Sequence, residues 1–334
     1  MSEALKKNLS VPRWVWYALA ILVVIALPML VGGSAYWKSI LISIVLNIML
    51  AMSLNLILGY TGQLHLGHSA FYGVGAYATT LLIQKAGFNF WVAMVTSSML
   101  AGVIGILLAF FATRLRGHYL AIASMAFAVI LYQILINWDS MTAGPLGIYG
   151  IAPPPAMHIF GTEIKFSNKV NLFYLISTVA ILVFIFLDNI LRSPIGETLS
   201  AVREDEVSAA SLGINTKLWK MFSFGVGAAI AGLAGSFYPS FVGTLVPDSF
   251  IVVESFTYLA MVIVGGVGTL LGPIIGAIVL TLLPEVLRGI GDARLLVYGL
   301  SLTLVVLFMP GGILQGIKKL SPKKKSSTAT TSYS

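Results

Sequence analysis

The polar residues that could carry chemistry form a few short groups in an otherwise apolar chain. The run Arg203-Glu204-Asp205-Glu206 is the densest of these groups. Ionised side chains in such a cluster suit a reversible contact that fixes the geometry of another protein. A second group consists of isolated amide and imidazole side chains within or beside apolar stretches: Asn47, Asn55, Gln63, His68 and Gln133. These five could line the path of a polar solute, and each of them could equally form a hydrogen bond between two helices.

Motifs of hydrolytic or nucleotide-driven chemistry are missing from the sequence. It contains no HExxH, no GxSxG and no GxxxxGK[ST] phosphate loop; the nearest match to the last, at 311–316, is followed by Ile317 instead of Lys. There is no cysteine, and four histidines make a metal centre of several histidines improbable. We therefore expect no catalytic residue, metal or cofactor. If ATP drives the protein, the ATPase must be a separate chain.

Glycine-rich segments are expected to break or pack helices. Gly73-Val74-Gly75 followed by Ala78 imitates a dinucleotide-binding motif, but it lies within an apolar stretch with no strand before it. Small residues at such spacing are typical of helices in close contact within a membrane. The residues assigned to helix breaks and packing are Gly73, Gly75, Gly265, Gly266, Gly268, Gly272, Pro273 and Gly276.

The composition determines what kind of elements must position these residues. Of 334 residues, 58% are hydrophobic and only 10% are charged, against about 25% charged in soluble proteins. So few charges cannot cover a water-soluble surface, and such high hydrophobicity excludes a disordered chain. The chain is therefore expected to be an all-α polytopic membrane protein. The net charge of +8 is explained by membrane orientation, without a nucleic acid partner.

About ten transmembrane helices are expected, because a helix needs about 20 apolar residues to cross the hydrocarbon core. Apolar runs lie near 14–32, 38–58, 67–84, 90–112, 118–137, 171–191, 219–241, 251–287 and 293–310. The run 251–287 is too long for one crossing, and its central glycines divide it into two short spans joined by a tight turn.

The distribution of Lys and Arg supports ten spans with both termini on the inside. Six of the 20 basic residues then lie outside, and the remaining 14 lie inside, as the positive-inside rule expects. The six outside residues are Lys38, Lys85, Lys165, Lys169, Arg288 and Arg294. We expect a cytoplasmic N-terminus over 1–13, a membrane domain over 14–316 and a basic, disordered cytoplasmic tail over 317–334.

Two hydrophilic loops interrupt the apolar runs. The loop 138–170 is expected outside, as an ordered cap or a short hairpin. The loop 192–218 is expected inside, with Ser193-Pro194 starting a helical hairpin that Gly213 terminates. Such a hairpin, charged on one side, could dock a soluble partner or could be a solvated loop without one.

Ionisable residues near the middle of the spans are missing, which disfavours an ion-coupled carrier. Asp188 and Glu254 lie at span ends, where we expect interfacial solvation. His65 and His68 lie in the short link before the third span, where each is expected to be a structural histidine with its hydrogen bonds satisfied.

Six segments in their order along the chain carry a resemblance to one family: GYTGQLHLGHSAFYGVGAYA (59–78), RLRGHYLAIASMAF (114–127), NWDSMTAGPLGI (137–148), SAVREDEVSAASLGIN (200–215), AGLAGSFY (231–238) and GGVGTLLGPIIGA (265–277). Over about residues 40–315 the chain resembles the LivM-type permeases of branched-chain amino acid ABC importers. The resemblance implies the ABC importer permease fold and a bacterial inner membrane location.

The resemblance also implies partners. They are a homologous LivH-like permease, two ATPase subunits and a periplasmic binding protein that delivers Leu, Ile, Val or related compounds. This chain would then form half of the translocation pathway. The residues that couple it to the ATPase would be Arg203, Glu204, Asp205, Glu206 and Gly213.

Two residues depart from the pattern of that family. His65 stands where Ser is common, and Leu146 stands where the outer loop commonly has Asn. The second departure puts the substrate and the docking of the binding protein in doubt. An ion-coupled secondary transporter or a channel for a small polar solute stays open as the alternative.

Overall fold

The computed structural model describes residues 13–32, 34–112, 118–159, 162–290, 299 and 312–313. In these residues the chain is built mainly of helices. The long ones are α1 (Arg13–Leu30), α2 (Ala35–Thr61), α3 (His68–Gln84), α4 (Phe90–Ala112), α5 (His118–Asn137), α7 (Lys169–Leu191) and α10 (Thr216–Val242). The shorter ones are α6 (Asp139–Thr142), α8 (Pro194–Glu204), α9 (Glu206–Ser211), α11 (Val252–Gly265) and α12 (Gly272–Val286).

Helix α2 lies at the centre of the bundle. It is apolar on every side, which is the pattern of a helix surrounded by others. Its neighbours are α7, α10, α11 and α12, while α10 also packs against α3 and α4. The core consequently forms one continuous apolar cluster that runs through these helices.

Small residues allow the helices of this core to approach closely. The backbone of Gly75 lies against the backbone of Gly232, and Gly276 lies against the carbonyl of Met261, so that a Cβ at either glycine would overlap a backbone oxygen. At Gly73 a Cβ would press on the ring of Phe250. The close contacts at these glycines are of the kind that a packing role requires, and that role stays a prediction.

Two breaks interrupt the apolar helices. The first break, residues 62–67, separates α2 from α3, and the second break, residues 266–271, separates α11 from α12. Gly266 and Gly268 adopt positive φ angles of 126° and 75°, which side chains rarely allow, and Pro273 lies in the first turn of α12. The division of the long run 251–287 into two short helices is therefore confirmed.

The loop 138–170 combines short helices with small two-stranded sheets. Strand β1 (Ile148–Tyr149) pairs antiparallel with β4 (Thr244–Leu245), and β2 (Met157–Ile159) pairs antiparallel with β3 (Thr162–Ile164). Single 3₁₀ turns lie at Gly144–Leu146, Pro247–Phe250 and Leu287–Ile290. The expected ordered loop with a hairpin is present, and β1 ties it to the segment that follows α10.

Seven helices within the described residues are long and apolar enough to cross a membrane. They span Ala35–Thr61, Phe90–Phe111, His118–Asn137, Lys169–Leu191, Thr216–Val242, Pro247–Gly265 and Gly272–Gly289. The 17 residues of α3 extend only about 26 Å. The run 293–310 and the basic tail lie outside the described residues, so the count of ten stays a prediction.

Candidate coupling and translocation site

The loop 192–218 folds into the expected helical hairpin, which we define as residues 194–211. The Ser193 side chain accepts a hydrogen bond from the Ile195 backbone N–H and caps α8. Gly213 has a φ of 87° and ends the hairpin, because this left-handed conformation is open to glycine. The prediction of both helix boundaries from sequence is confirmed.

Asp205 forms the corner between α8 and α9. Its carboxylate accepts hydrogen bonds from the backbone N–H groups of Val207 at 2.8 Å and Ser208 at 2.9 Å. These two bonds, with Ser208 contributing most, lower the pKa of Asp205 below its ordinary value. Because the pKa falls on folding, the stabilisation by this cap is present above the ordinary pKa of Asp and is lost as pH falls through the lowered value.

Two charged residues of the hairpin fix it to the bundle. Glu206 accepts a hydrogen bond from Lys220 on α10 at 2.6 Å, and the Lys220 side chain is only 11% exposed. Arg203 donates through Nη1 to the carbonyl of Gly59 near the end of α2. The apolar side chains of Leu199 and Val202 are buried beneath the hairpin. A movement of the hairpin must therefore act on α2 and α10 directly.

Glu204 differs from its neighbours in the cluster. It lies at the last position of α8, is exposed, and forms no hydrogen bond or ion pair with any part of the chain that the structure describes. The cluster 203–206 is thus divided by role: Arg203 and Glu206 contact the bundle, Asp205 caps a helix, and Glu204 faces outward.

The five polar candidates for the translocation pathway do not converge on one point. Asn47 donates to the Thr281 hydroxyl on α12 at 2.9 Å. Gln133 is exposed on α5, where Asn137 donates to its side chain and backbone carbonyl. The amides of these two side chains therefore face different environments.

Asn55 is buried and holds the second break. Its Nδ2 donates to the Thr269 carbonyl, and its Oδ1 accepts from the Gly268 N–H, each at 2.9 Å. Gln63 is also buried and donates to the hydroxyls of Thr61 and Ser223. The pathway role of Asn55 and Gln63 stays a prediction.

His65 and His68 lie inside the bundle. The first break turns back between the helices: His68, the first residue of α3, contacts the Ser53 hydroxyl through Nε2 at 2.7 Å. Ser53 lies eight residues before Thr61 at the end of α2, which is about 12 Å along the helix. The sequence argument that left the span interiors without an ionisable residue is therefore wrong for this pair.

The expectation that both histidines are satisfied is met at one nitrogen of His68, whose Nδ1 has no partner among the described residues, and fails for His65. Both rings are fully buried, and neither nitrogen of His65 has a hydrogen-bond partner among the described residues. The His65 ring instead stacks on Phe71 with 5.3 Å between ring centroids and contacts Phe224 edge-on at 5.0 Å. His65 thus behaves as a flat ring in an aromatic cluster.

The expectation that Asp188 is solvated at the membrane interface is wrong. It is 3% exposed and forms an ion pair with Arg192 at 2.6 Å, so it is buried and paired, not solvated at an interface. Sequence reasoning also missed Lys220 as the partner of Glu206. The only signal for it was a basic residue at the start of an apolar helix, 14 positions after the acid.

A helical bundle built of long apolar helices, two of them separated by short breaks, defines the class of polytopic membrane proteins. The chain matches the family model described as branched-chain amino acid transport system / permease component over residues 36–309. That match covers most of the chain. The protein belongs to this family of permeases.

Two curated relatives support the same assignment. The high-affinity branched-chain amino acid transport system permease protein LivM of Escherichia coli (strain K12) is 32% identical over 288 residues, which are 81% of this chain and 68% of the relative. The high-affinity branched-chain amino acid transport system permease protein LivH of Salmonella typhimurium is 27% identical over 288 residues. These residues are 80% of this chain and 90% of the relative. No solved structure matches the chain significantly.

Proposed function

We propose that the chain is the LivM-like permease subunit of an ATP-driven ABC importer for branched-chain or related amino acids. It forms half of a translocation pathway with a LivH-like permease in a bacterial inner membrane. Two ATPase subunits lie beneath the pair, and a periplasmic binding protein delivers the amino acid. The similarity of one chain to both LivM and LivH supports the pairing of two homologous permeases.

The observation that carries the coupling role is the two-sided construction of the hairpin. One side is fixed to the bundle by Arg203 and Glu206, and the other side presents Glu204 and Asp205 to solvent. The hairpin is therefore well suited to transmit the closure of an ATPase pair to the bundle.

From the hairpin, a chain of contacts leads to the second break. Arg203 lies against Gly59 and also against Gly268, since a Cβ at Gly268 would overlap the Arg203 guanidinium. Asn55 then holds Gly268 and Thr269. Movement of the hairpin can thus reach the turn between α11 and α12, where two short helices can move with respect to α2.

The exposed apolar side chains of α4 and α5 offer the surface for lipid and for the second permease. Met99, Phe111, Tyr119, Ile122 and Ile130 are each more than half exposed. Gln133 lies on the same exposed helix α5. In the proposed heterodimer it faces the pathway from the side, while Asn47, Asn55, Gln63 and His68 act from within the bundle.

The sidedness follows from the same arrangement. Tyr36 contacts Glu285, Lys85 contacts Ser140, and Lys169 contacts Ser39, so these ends of the helices share one side. The hairpin lies at the other side. We assign the hairpin side to the cytoplasm because the ten-span prediction, with residues 1–13 and 317–334 on the same side of the membrane domain 14–316, places 14 of the 20 basic residues there.

The test separates the docking charge from the capping charge. Glu204→Lys reverses an exposed charge and leaves the hydrogen bonds of the hairpin intact, and Asp205→Asn keeps an acceptor for the cap while removing a charge. We expect Glu204→Lys to weaken copurification of the ATPase and to lower uptake at least about tenfold, within the range of interfacial charge effects. Asp205→Asn should have a smaller effect.

Normal assembly and uptake by Glu204→Lys would remove the docking role. The alternative of a self-contained secondary transporter or a channel has its own readout. Vesicles that hold the complete complex should import the amino acid only when they can hydrolyse ATP. Uptake that follows an ion gradient without ATP would overturn the importer assignment.

A further inference from the structure

A pocket of about 540 Å³, which we call the outer pocket, lies at the outer ends of the helices, on the side opposite the hairpin. It opens between the end of α3, the start of α4 and the loop segment 150–155. Its side-chain lining combines apolar and uncharged polar groups: Ile83, Phe90, Ile151, Ala152, Pro153 and Pro155 with Thr80, Gln84 and Asn89. None of these described residues has an ionisable side chain.

The walls of the outer pocket are held in place by the fold. The Ile151 N–H donates to the Gly243 carbonyl at 3.2 Å, which fixes the loop to the end of α10. The run Pro153-Pro154-Pro155 restricts the backbone of the same wall. On the opposite wall the Asn89 side chain accepts a hydrogen bond from the Trp91 N–H at the start of α4. Such a preformed pocket binds a partner without a large cost of ordering.

Large apolar side chains stand exposed around the outer pocket. Tyr149, directly before the pocket wall, is 65% exposed, and Leu146 is 77% exposed. Phe88 is exposed in the link between α3 and α4, and Lys85 of the same link donates to the Ser140 carbonyl, so the link and the loop lie side by side. Grouped apolar side chains beyond the helix ends are typical of a surface that binds another protein.

The position of the outer pocket indicates which molecules can reach it. Thr80 and Phe90 in its wall are buried, and α3 is a core helix packed against α4 and α10. The pocket therefore opens over the interior of the bundle from the water side, whereas lipid contacts the outward faces of α4 and α5. A free amino acid fits poorly, because its two charged groups would meet no opposite charge in the wall.

We propose that the outer pocket, with Phe88, Leu146 and Tyr149 around it, is the docking surface for the periplasmic binding protein, and that an apolar side chain of that protein enters the pocket. The inference rests on the proposed function for the existence of this partner. It gives the departure at Leu146 a role, because an aliphatic side chain adds to an apolar contact. Docking there acts on α3, which leads from the pocket to the first break over about 26 Å.

The test measures the Kd of the leucine-loaded binding protein for the complete complex in nanodiscs. Ala152→Trp fills the outer pocket, and Ala156→Trp is the matched control, since Ala156 is exposed in the same loop and does not line the pocket. We expect Ala152→Trp to raise the Kd about tenfold or more, as the loss of a central anchor does, and Ala156→Trp to change it less than about twofold.

Leu146→Asn tests the same surface without a bulky side chain. Because Leu146 is largely exposed, the exchange leaves the packing of the loop intact, and we expect the Kd to rise about threefold or more. Raising NaCl from about 50 to about 500 mM should change the Kd of the parent complex less than about threefold, because salt screens ionic contacts and the surface offers none in its pocket.

Two outcomes would overturn the inference. Equal Kd values for the parent, Ala152→Trp and Leu146→Asn complexes would leave the outer pocket to a lipid or a small molecule. A parent Kd that rises tenfold or more with salt would show that docking depends on charges elsewhere. Failure of the proposed function gives a different result, because the parent complex would then neither bind the loaded binding protein nor import leucine with ATP.

Discussion

The two breaks in the apolar helices differ in how their backbone groups find hydrogen-bond partners. Buried backbone groups that leave a helix need other partners within a membrane. At the first break, residues 62–67, hydroxyls from several helices serve: Ser124 accepts from the Leu66 N–H, Ser255 accepts from the Ser69 N–H, and Ser53 contacts His68. At the second break, residues 266–271, Asn55 alone bonds both Gly268 and Thr269.

The comparison shows that hydroxyls from three helices bond at the first break, whereas at the second break one amide bonds two backbone groups and the Thr269 hydroxyl bonds two more within the turn. Loss of a single side chain should therefore matter more at the second break. The second break also lies against Arg203 of the hairpin, so its stability and its response to the ATPase are connected.

The largest effect is expected from glycines that touch backbone at the first break and between α11 and α12. In Gly276→Ala the added Cβ would overlap the Met261 carbonyl, and in Gly67→Ala it would overlap the Ser124 carbonyl. Backbone cannot yield as a side chain does, so we expect each change to cost about 3 kcal/mol or more. The free energy of unfolding is measured for each variant in mixed micelles titrated with sodium dodecyl sulfate.

Gly289→Ala is the control for both glycine variants, because a Cβ there meets open space. Its unfolding free energy should stay close to that of the parent protein. Equal stability of all three variants would show that the close approach of α11 and α12 is not required.

Asn55→Leu should have the next largest effect. The change leaves a half-buried N–H at Gly268 and a half-buried carbonyl at Thr269 without their partner, and we expect a cost of about 1 kcal/mol or more for each group. ATPase activity should also become less dependent on the loaded binding protein, because the second break loses its attachment to α2. Both the unfolding free energy and stimulated ATP hydrolysis are measured.

Asn47→Leu is the matched control on the same helix. Asn47 has one side-chain partner, Thr281, which is half-buried. We expect a cost of about 1 kcal/mol and normal stimulation of the ATPase. If Asn47→Leu proves as damaging as Asn55→Leu, the special role of the second break is lost.

At the first break, Ser53→Ala should cost about 1 kcal/mol, because His68 loses one hydrogen bond while the other hydroxyl contacts stay. His68→Phe removes the other partner of the same bond. If the bond accounts for both losses, the double variant Ser53→Ala/His68→Phe should be destabilised by less than the sum of the two single variants. A strictly additive result would show that the bond does not contribute.

The smallest effect is expected from His65→Leu. Among the described residues neither ring nitrogen of His65 has a partner, so an apolar side chain loses no hydrogen bond and avoids burying polar atoms. Stability should remain within about 0.5 kcal/mol of the parent or should increase. A loss as large as that of Ser53→Ala would show that the His65 nitrogens are bonded in the assembled complex.

Local signals in the sequence predicted the elements well. The boundaries of the hairpin followed from Ser193-Pro194 and Gly213, and the division of 251–287 followed from its glycines, because caps and turns depend on a few adjacent residues. The sequence also separated the membrane class from soluble proteins by composition. The count of spans was harder, since α3 is short and the run 293–310 lies outside the described residues.

The partners of polar residues could not be predicted in this way. Asn55 meets Gly268 and Thr269 more than 200 positions later, and Lys220 meets Glu206 across two helices. The burial of His65, His68 and Asp188 also escaped the sequence, because the fold decides which loops turn back into the bundle.

The sequence by itself determined the membrane class, the helices, the two breaks and the charged hairpin, since each depends on composition or on neighbours along the chain. Only the tertiary structure decided which charges hold the hairpin, which one faces outward and where the outer pocket opens. Hydrogen bonds and ion pairs act over about 3 Å, and residues far apart in the sequence come that close only when the helices have packed.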